Sequence, residues 1–95
     1  MNNNKVVIFY SDNCAPCLQL KPLYTKILKE MGIQCDLVPV HEESGQRHAH
    51  KIGITAVPTV LYIKNGKVVH LTQGFDGSDE EKTRKNLQET LEQVF

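Results

Sequence analysis

After Met1-Asn2-Asn3-Asn4 the chain runs into Lys5-Val6-Val7-Ile8-Phe9-Tyr10, a nearly continuous apolar stretch of strand length. It has no two-residue alternation, so the pattern predicts a central strand buried on both faces. Ser11, Asp12 and Asn13 follow with turn and helix-capping chemistry. From Leu20 the apolar positions are Leu20, Leu23, Tyr24, Ile27, Leu28 and Met31, one stripe of a helix. Gly32 ends that stripe. Pro22 lies inside it, removes one amide donor and predicts a kink between Leu18 and Pro22. Ile33 to Val40 reads as a second strand, and Pro39 favours an edge position for it. His41 to Lys51 is polar and predicts a loop with a short helix. Val57 to Lys64 and Lys67 to Thr72 flank Asn65-Gly66, the strongest short hairpin signal. Ser78 with Glu81 forms a capping box. Leu87, Leu91, Val94 and Phe95 supply the buried stripe of a last helix. The order is β-α-β-α-β-β-α, an α/β layer structure with a parallel crossover first and an antiparallel hairpin later.

Composition narrows the class. With 95 residues, 40% hydrophobic and 23% charged, residues 1–95 are expected to form one globular domain. Eleven basic residues balance eleven acidic ones. A neutral chain lacks the basic excess that nucleic acid or an anionic membrane requires, so neither is expected as a partner. The charge is split, however. Residues 1–75 carry eight Lys+Arg and five Asp+Glu, and residues 76–95 carry three and six. This predicts an acidic last helix on a mildly basic body. No apolar run reaches bilayer-spanning length, and the start shows no leader-like apolar segment, so a cytoplasmic protein is expected.

The chemistry concentrates at Cys14-Ala15-Pro16-Cys17, where a strand gives way to a helix. Two intervening residues let one helical turn bring both sulfurs within bonding distance. The first Cys then lies at a helix start, where unpaired amides and the positive dipole end stabilise a thiolate. The thiolate is the nucleophile of disulfide exchange. On this reading Cys14 attacks and Cys17, a turn inside and shielded, resolves. A zinc site also uses this spacing, but it needs further ligands, and only Cys35 and four scattered histidines remain. A pair of plain core cysteines is the third possibility. Neither a metal nor a separate cofactor is expected.

At these residues the sequence resembles the thioredoxin/glutaredoxin superfamily over nearly its whole length. Pro22 stands five residues after the second Cys, like the kinking proline of thioredoxins. Ala56-Val57-Pro58-Thr59 is similar to the family's cis-proline loop. Ile63-Lys64-Asn65-Gly66-Lys67 with Gly74 is similar to the thioredoxin hairpin and the glycine after it. The resemblance implies a minimal thioredoxin fold, a four-stranded mixed sheet flanked by helices. It also implies a redox-active Cys14–Cys17 disulfide in a thiol–disulfide oxidoreductase, with a substrate segment adding as a strand along Val57. Ala15, Pro16, Ala56, Val57, Pro58 and Gly74 are the implied substrate-binding residues. The implied partners are disulfide-containing proteins and an electron donor, either a reductase of the thioredoxin reductase type or glutathione, with the protein acting as a monomer.

Departures from the thioredoxin pattern are specific. Asn13 and Ala15 stand where thioredoxins usually carry Trp and Gly. Ile8 occupies the position of their buried Asp, and Leu37 that of its Lys partner, which leaves water or the Cys14 thiolate as proton acceptor for Cys17. Phe9-Tyr10-Ser11 and Gly74-Phe75-Asp76 lean towards glutaredoxins, whose similar Gly-x-Asp stretch holds glutathione. A glutathione-dependent oxidoreductase is therefore one alternative, and a binding module of the same fold with incidental redox activity is another. Of the remaining residues, Cys35 is expected to be a small buried hydrophobe. His41, His48, His50, His70 and Lys21 are expected to be solvated, Tyr10 to pack beneath the site, and Asp12 and Asn13 to cap the helix.

Overall fold

The computed structural model describes residues 4–75 and 79–95. Seven elements follow the predicted order: β1 (Asn4–Tyr10), α1 (Ala15–Glu30), β2 (Gln34–Pro39), α2 (Glu43–Lys51), β3 (Thr59–Lys64), β4 (Lys67–Gln73) and α3 (Glu80–Val94). The strands form one mixed sheet in the order β2-β1-β3-β4. β1 pairs parallel with β2 and antiparallel with β3, and β3 pairs antiparallel with β4. This is the thioredoxin-type topology that the resemblance implied.

β1 is central because both of its faces can be buried. Val6 and Ile8 face a cluster completed by Val60 and Tyr62 of β3, by Leu20, Ile27 and Leu28 of α1, and by Leu87 and Leu91 of α3. Val7 and Phe9 face the opposite side with Val38, Leu61 and Ala49 of α2. Two helices thus cover one face of the sheet and one short helix covers the other. β2 takes the edge, as Pro39 requires, since a proline cannot donate to a second ladder. The Asn65-Gly66 turn has both residues at positive φ, 53° and 80°, the geometry of a two-residue hairpin.

Three details differ from the sequence pattern. α1 begins at Ala15, five residues ahead of the apolar stripe, and runs continuously through Pro22. β3 begins at Thr59, because Pro58 has no amide proton to give the ladder. α3 is capped by Asp79, whose carboxylate accepts from the Lys82 amide at 3.2 Å. Ser78 lies outside the described residues.

Candidate active site

The turn from β1 into α1 builds the site. The Cys14 amide donates to the Ser11 carbonyl at 3.2 Å, closing a tight turn over residues 11–14. Cys14 is extended, with φ −109° and ψ 109°, and is the N-cap of α1. Its sulfur accepts from the Cys17 amide at 3.3 Å. The cap is therefore the cysteine itself, and the expectation that Asp12 or Asn13 would cap the helix is corrected. The cap position falls one residue after Asn13 and two after Asp12, and the Asp12 carboxylate is turned to His41 instead. Pro16 fits the first turn, where a missing amide proton costs nothing.

Cys14 and Cys17 are joined by a disulfide with their Cα atoms 5.2 Å apart. Cys14 is half-buried, while Cys17 is 0% exposed. Ala15 and Pro16 between them are exposed. Cys35, half-buried and unpaired in any disulfide, has its thiol pushed up to about 11, by burial first and the neighbouring Asp36 charge second. That agrees with a packing role.

A second segment reaches the sulfurs from far along the chain. The Cys14 sulfur lies 3.8 Å from the Val57 carbonyl oxygen. The Val57–Pro58 peptide is cis. Two bonds hold this loop in place. The Thr59 hydroxyl donates to the Ala56 carbonyl at 2.6 Å, and the Gly74 amide donates to the Pro58 carbonyl at 2.9 Å. Gly74 has φ 79°, so a side chain there would be strained. Ala56 is exposed, Val57 half-buried and Pro58 buried. A cleft of about 400 Å³ of mixed character opens beside Ala56 and Val57, lined by Gln46, His50 and Thr55 and by Val40, Ala49 and Ile54. Asp76 of the Gly74-Phe75-Asp76 stretch lies outside the described residues.

Under the turn, the Lys21 ammonium sits 4.2 Å from the centre of the Tyr10 ring. Lys21 is half-buried on that ring rather than simply solvated. Ile8, where the resemblance implied the buried acid of thioredoxins would otherwise stand, is fully enclosed in the apolar cluster. Among the described residues no group of three or more His, Cys, Asp or Glu is placed to hold a metal ion.

The thioredoxin family model matches residues 1–93. The chain belongs to the thioredoxin family. It is 31% identical over 83 residues to a thioredoxin of Bacillus subtilis, a match spanning 87% of this chain and 74% of that one. An NADPH-dependent thioredoxin reductase of Arabidopsis thaliana is 29% identical over 87 residues, 92% of this chain and 15% of the reductase. The structure of a reduced thioredoxin pre-protein from Schistosoma mansoni superposes with a TM-score of 0.78 at 26% identity, covering 99% of this chain and 81% of that one. This thioredoxin-family chain is a thiol–disulfide oxidoreductase, and its redox group is the Cys14–Cys17 disulfide.

Proposed function

We propose that the chain is a protein disulfide reductase in which Cys14 is the nucleophile and Cys17 the resolving thiol. The observation that carries this reading is the asymmetry of the pair. Cys14 caps the helix within reach of solvent, and Cys17 is closed off behind it. In the dithiol form the Cys17 amide and the start of α1 favour a thiolate at Cys14.

The reaction follows from that asymmetry. The Cys14 thiolate attacks one sulfur of a substrate disulfide, the substrate S–S bond breaks, and the departing sulfur takes up a proton. A mixed disulfide remains on Cys14. Cys17 loses its proton and attacks the Cys14 sulfur, which releases the second substrate sulfur as a thiol and closes the internal disulfide. The two electrons that reduce the substrate are returned by an external donor. The similarity to part of a thioredoxin reductase chain supports a donor of that NADPH-dependent type over glutathione.

The substrate segment lies along Ala56, Val57 and Pro58, bordered by Ala15, Pro16 and Gly74. A substrate strand can pair with the Val57 backbone while its own sulfur meets Cys14, since the Val57 carbonyl already faces that sulfur. Residues 1–95 act as one domain, as a monomer, in the cytosol. Among the described residues no helix is long and apolar enough to cross a membrane.

Insulin reduction driven by NADPH and a thioredoxin reductase tests the reading. Turnover is expected with the parent chain and a loss to background with Cys14→Ser. Full turnover in Cys14→Ser would overturn it. Regeneration by glutathione alone would move the protein to the glutaredoxin class.

A further inference from the structure

α2 is seated on the sheet through Gly45 and Ala49, and the Gly45 backbone lies against the Pro39 carbonyl at the end of β2. Every other residue of the helix is exposed. Gln46 and His50 form part of the α2 wall of the cleft beside Val57. The same two side chains, with Arg47 and Lys51, line a second, open recess of about 530 Å³. The two spaces therefore adjoin across Gln46 and His50, and neither is lined by an acidic side chain. The ion pairs among the described residues are Lys5–Asp36, Asp12–His41 and Glu30–Arg84, so the charges of Arg47 and Lys51 are unpaired. Glu43 stands one turn ahead of Arg47 and does not pair with it. A cation in the last turn suits the helix dipole, which accounts for Lys51 alone. The dipole does not account for Arg47, or for a recess free of acidic residues that adjoins the cleft beside Val57.

We propose that Arg47 and Lys51 select disulfide substrates that carry acidic residues beside the reacting cysteine. The proposal rests on the reductase reading, in which Cys14 attacks and the substrate strand runs along Val57. The Val57 carbonyl oxygen is 3.8 Å from the Cys14 sulfur, which fixes where the substrate cysteine sits. An extended strand advances roughly 3.3 Å per residue. On the flank that passes α2, the residues one to three places from the substrate cysteine therefore reach the mouth of the cleft. A carboxylate there meets the two unpaired cations at the end of long, flexible stems. A lysine at the same place meets like charge. Charges of this kind act on encounter and on the choice of partner more than on the chemical step.

Single-turnover reduction of three peptides reads this selection. Each peptide is closed by one disulfide and carries Glu, Gln or Lys on both sides of each cysteine. The chain is reduced with dithiothreitol and desalted, and the second-order rate is followed by acid quench and mass spectrometry. Rates are taken relative to the Gln peptide, which is each protein's own reference. The parent is expected to reduce the Glu peptide roughly three- to tenfold faster than the Gln peptide and the Lys peptide more slowly than either. In about 1 M salt, where screening acts within about 3 Å, the preference should shrink. In the double variant Arg47→Gln with Lys51→Gln the Glu-to-Gln ratio should fall to about one. Equal rates on the Glu and Lys peptides in the parent would overturn the proposal, and so would a preference that survives in the double variant. A folded parent that reduces none of the three peptides would instead remove the reductase reading, and the proposal with it, so the two failures are told apart.

Discussion

Cys14 and Cys35 share a side chain and differ in surroundings. Cys14 caps a helix with an amide aimed at its sulfur, whereas Cys35 sits in an edge strand among apolar neighbours, its thiol pushed up to about 11. Thiolate fraction decides alkylation. In the reduced protein at about pH 7.5, alkylation is expected at Cys14 at least tenfold before Cys35. Mass-mapped labelling over time measures it, and earlier labelling of Cys35 would contradict the assignment. The Cys-x-x-Cys pair was legible in the sequence because its chemistry depends on local spacing. The Asp12–His41 contact was not, because it depends on the register of two strands. That register is constant along the ladder, Lys5 opposite Gln34 to Tyr10 opposite Pro39. Continued by two residues, the same offset of 29 brings position 12 opposite position 41.

At the scale of elements, α2 shows how closely a helix can be seated. Gly45 lies on its buried side, and a Cβ there would collide with the Pro39 carbonyl at the end of β2. Backbone cannot yield as a flexible side chain can, so the helix would have to move. Gly45→Ala is expected to destabilise the fold by about 1–3 kcal/mol, despite alanine's better helix propensity. For a chain of this size that lowers the melting temperature by roughly 5–20 °C. An unchanged or raised melting temperature would show that α2 is not seated against Pro39. The displaced helix carries Gln46 and His50 of the cleft beside Val57, so activity should fall as well. The pattern of apolar positions foretold β1, α1, β2, β3 and α3, which bury apolar side chains, whereas the polar α2 reads as a short helix within a loop and the largely exposed β4 is read from the Asn65-Gly66 turn. The apolar stripe alone marks α1 only from Leu20, since the first turn presents Ala15, Pro16 and Leu18 to solvent, and the helix start at Cys14 is read from the Cys-x-x-Cys chemistry instead.

Over the whole molecule the two faces of the sheet are unequally covered. α1 and α3 close one face, tied together by Arg84 of α3, which donates to Glu30 of α1 at 2.6 Å. α2 covers the other only in part and leaves an apolar groove of about 340 Å³ lined by Val7, Phe9, Leu61, Val68 and Leu71 among others. The response to pH follows from where the perturbed groups lie. Glu30 is held low by its Arg84 hydrogen bond, and Asp36 by hydrogen bonds first from Gln34 and then from Lys5. Depressed carboxylates stabilise the fold above their unfolded values and lose that contribution as pH falls through the folded ones. Both are largely solvent-screened, so the acid-side loss should be small. On the alkaline side Cys35, Tyr24 and Tyr62 are all raised, chiefly by burial. Raised groups contribute below their unfolded values and lose that contribution as pH climbs towards the folded ones. Urea unfolding of the reduced protein should therefore show stability falling from about pH 9 upward, beginning with Cys35. Cys35→Val should delay that fall, and an identical alkaline limb in the variant would contradict the role given to burial.

The central claim concerns one sulfur. The most direct test mixes the Cys17→Ser variant with a protein disulfide substrate and locates the trapped mixed disulfide by mass spectrometry. Without the second thiol the adduct cannot be resolved, and it should accumulate on Cys14. An adduct on Cys35, or none at all from a folded variant, would contradict the account.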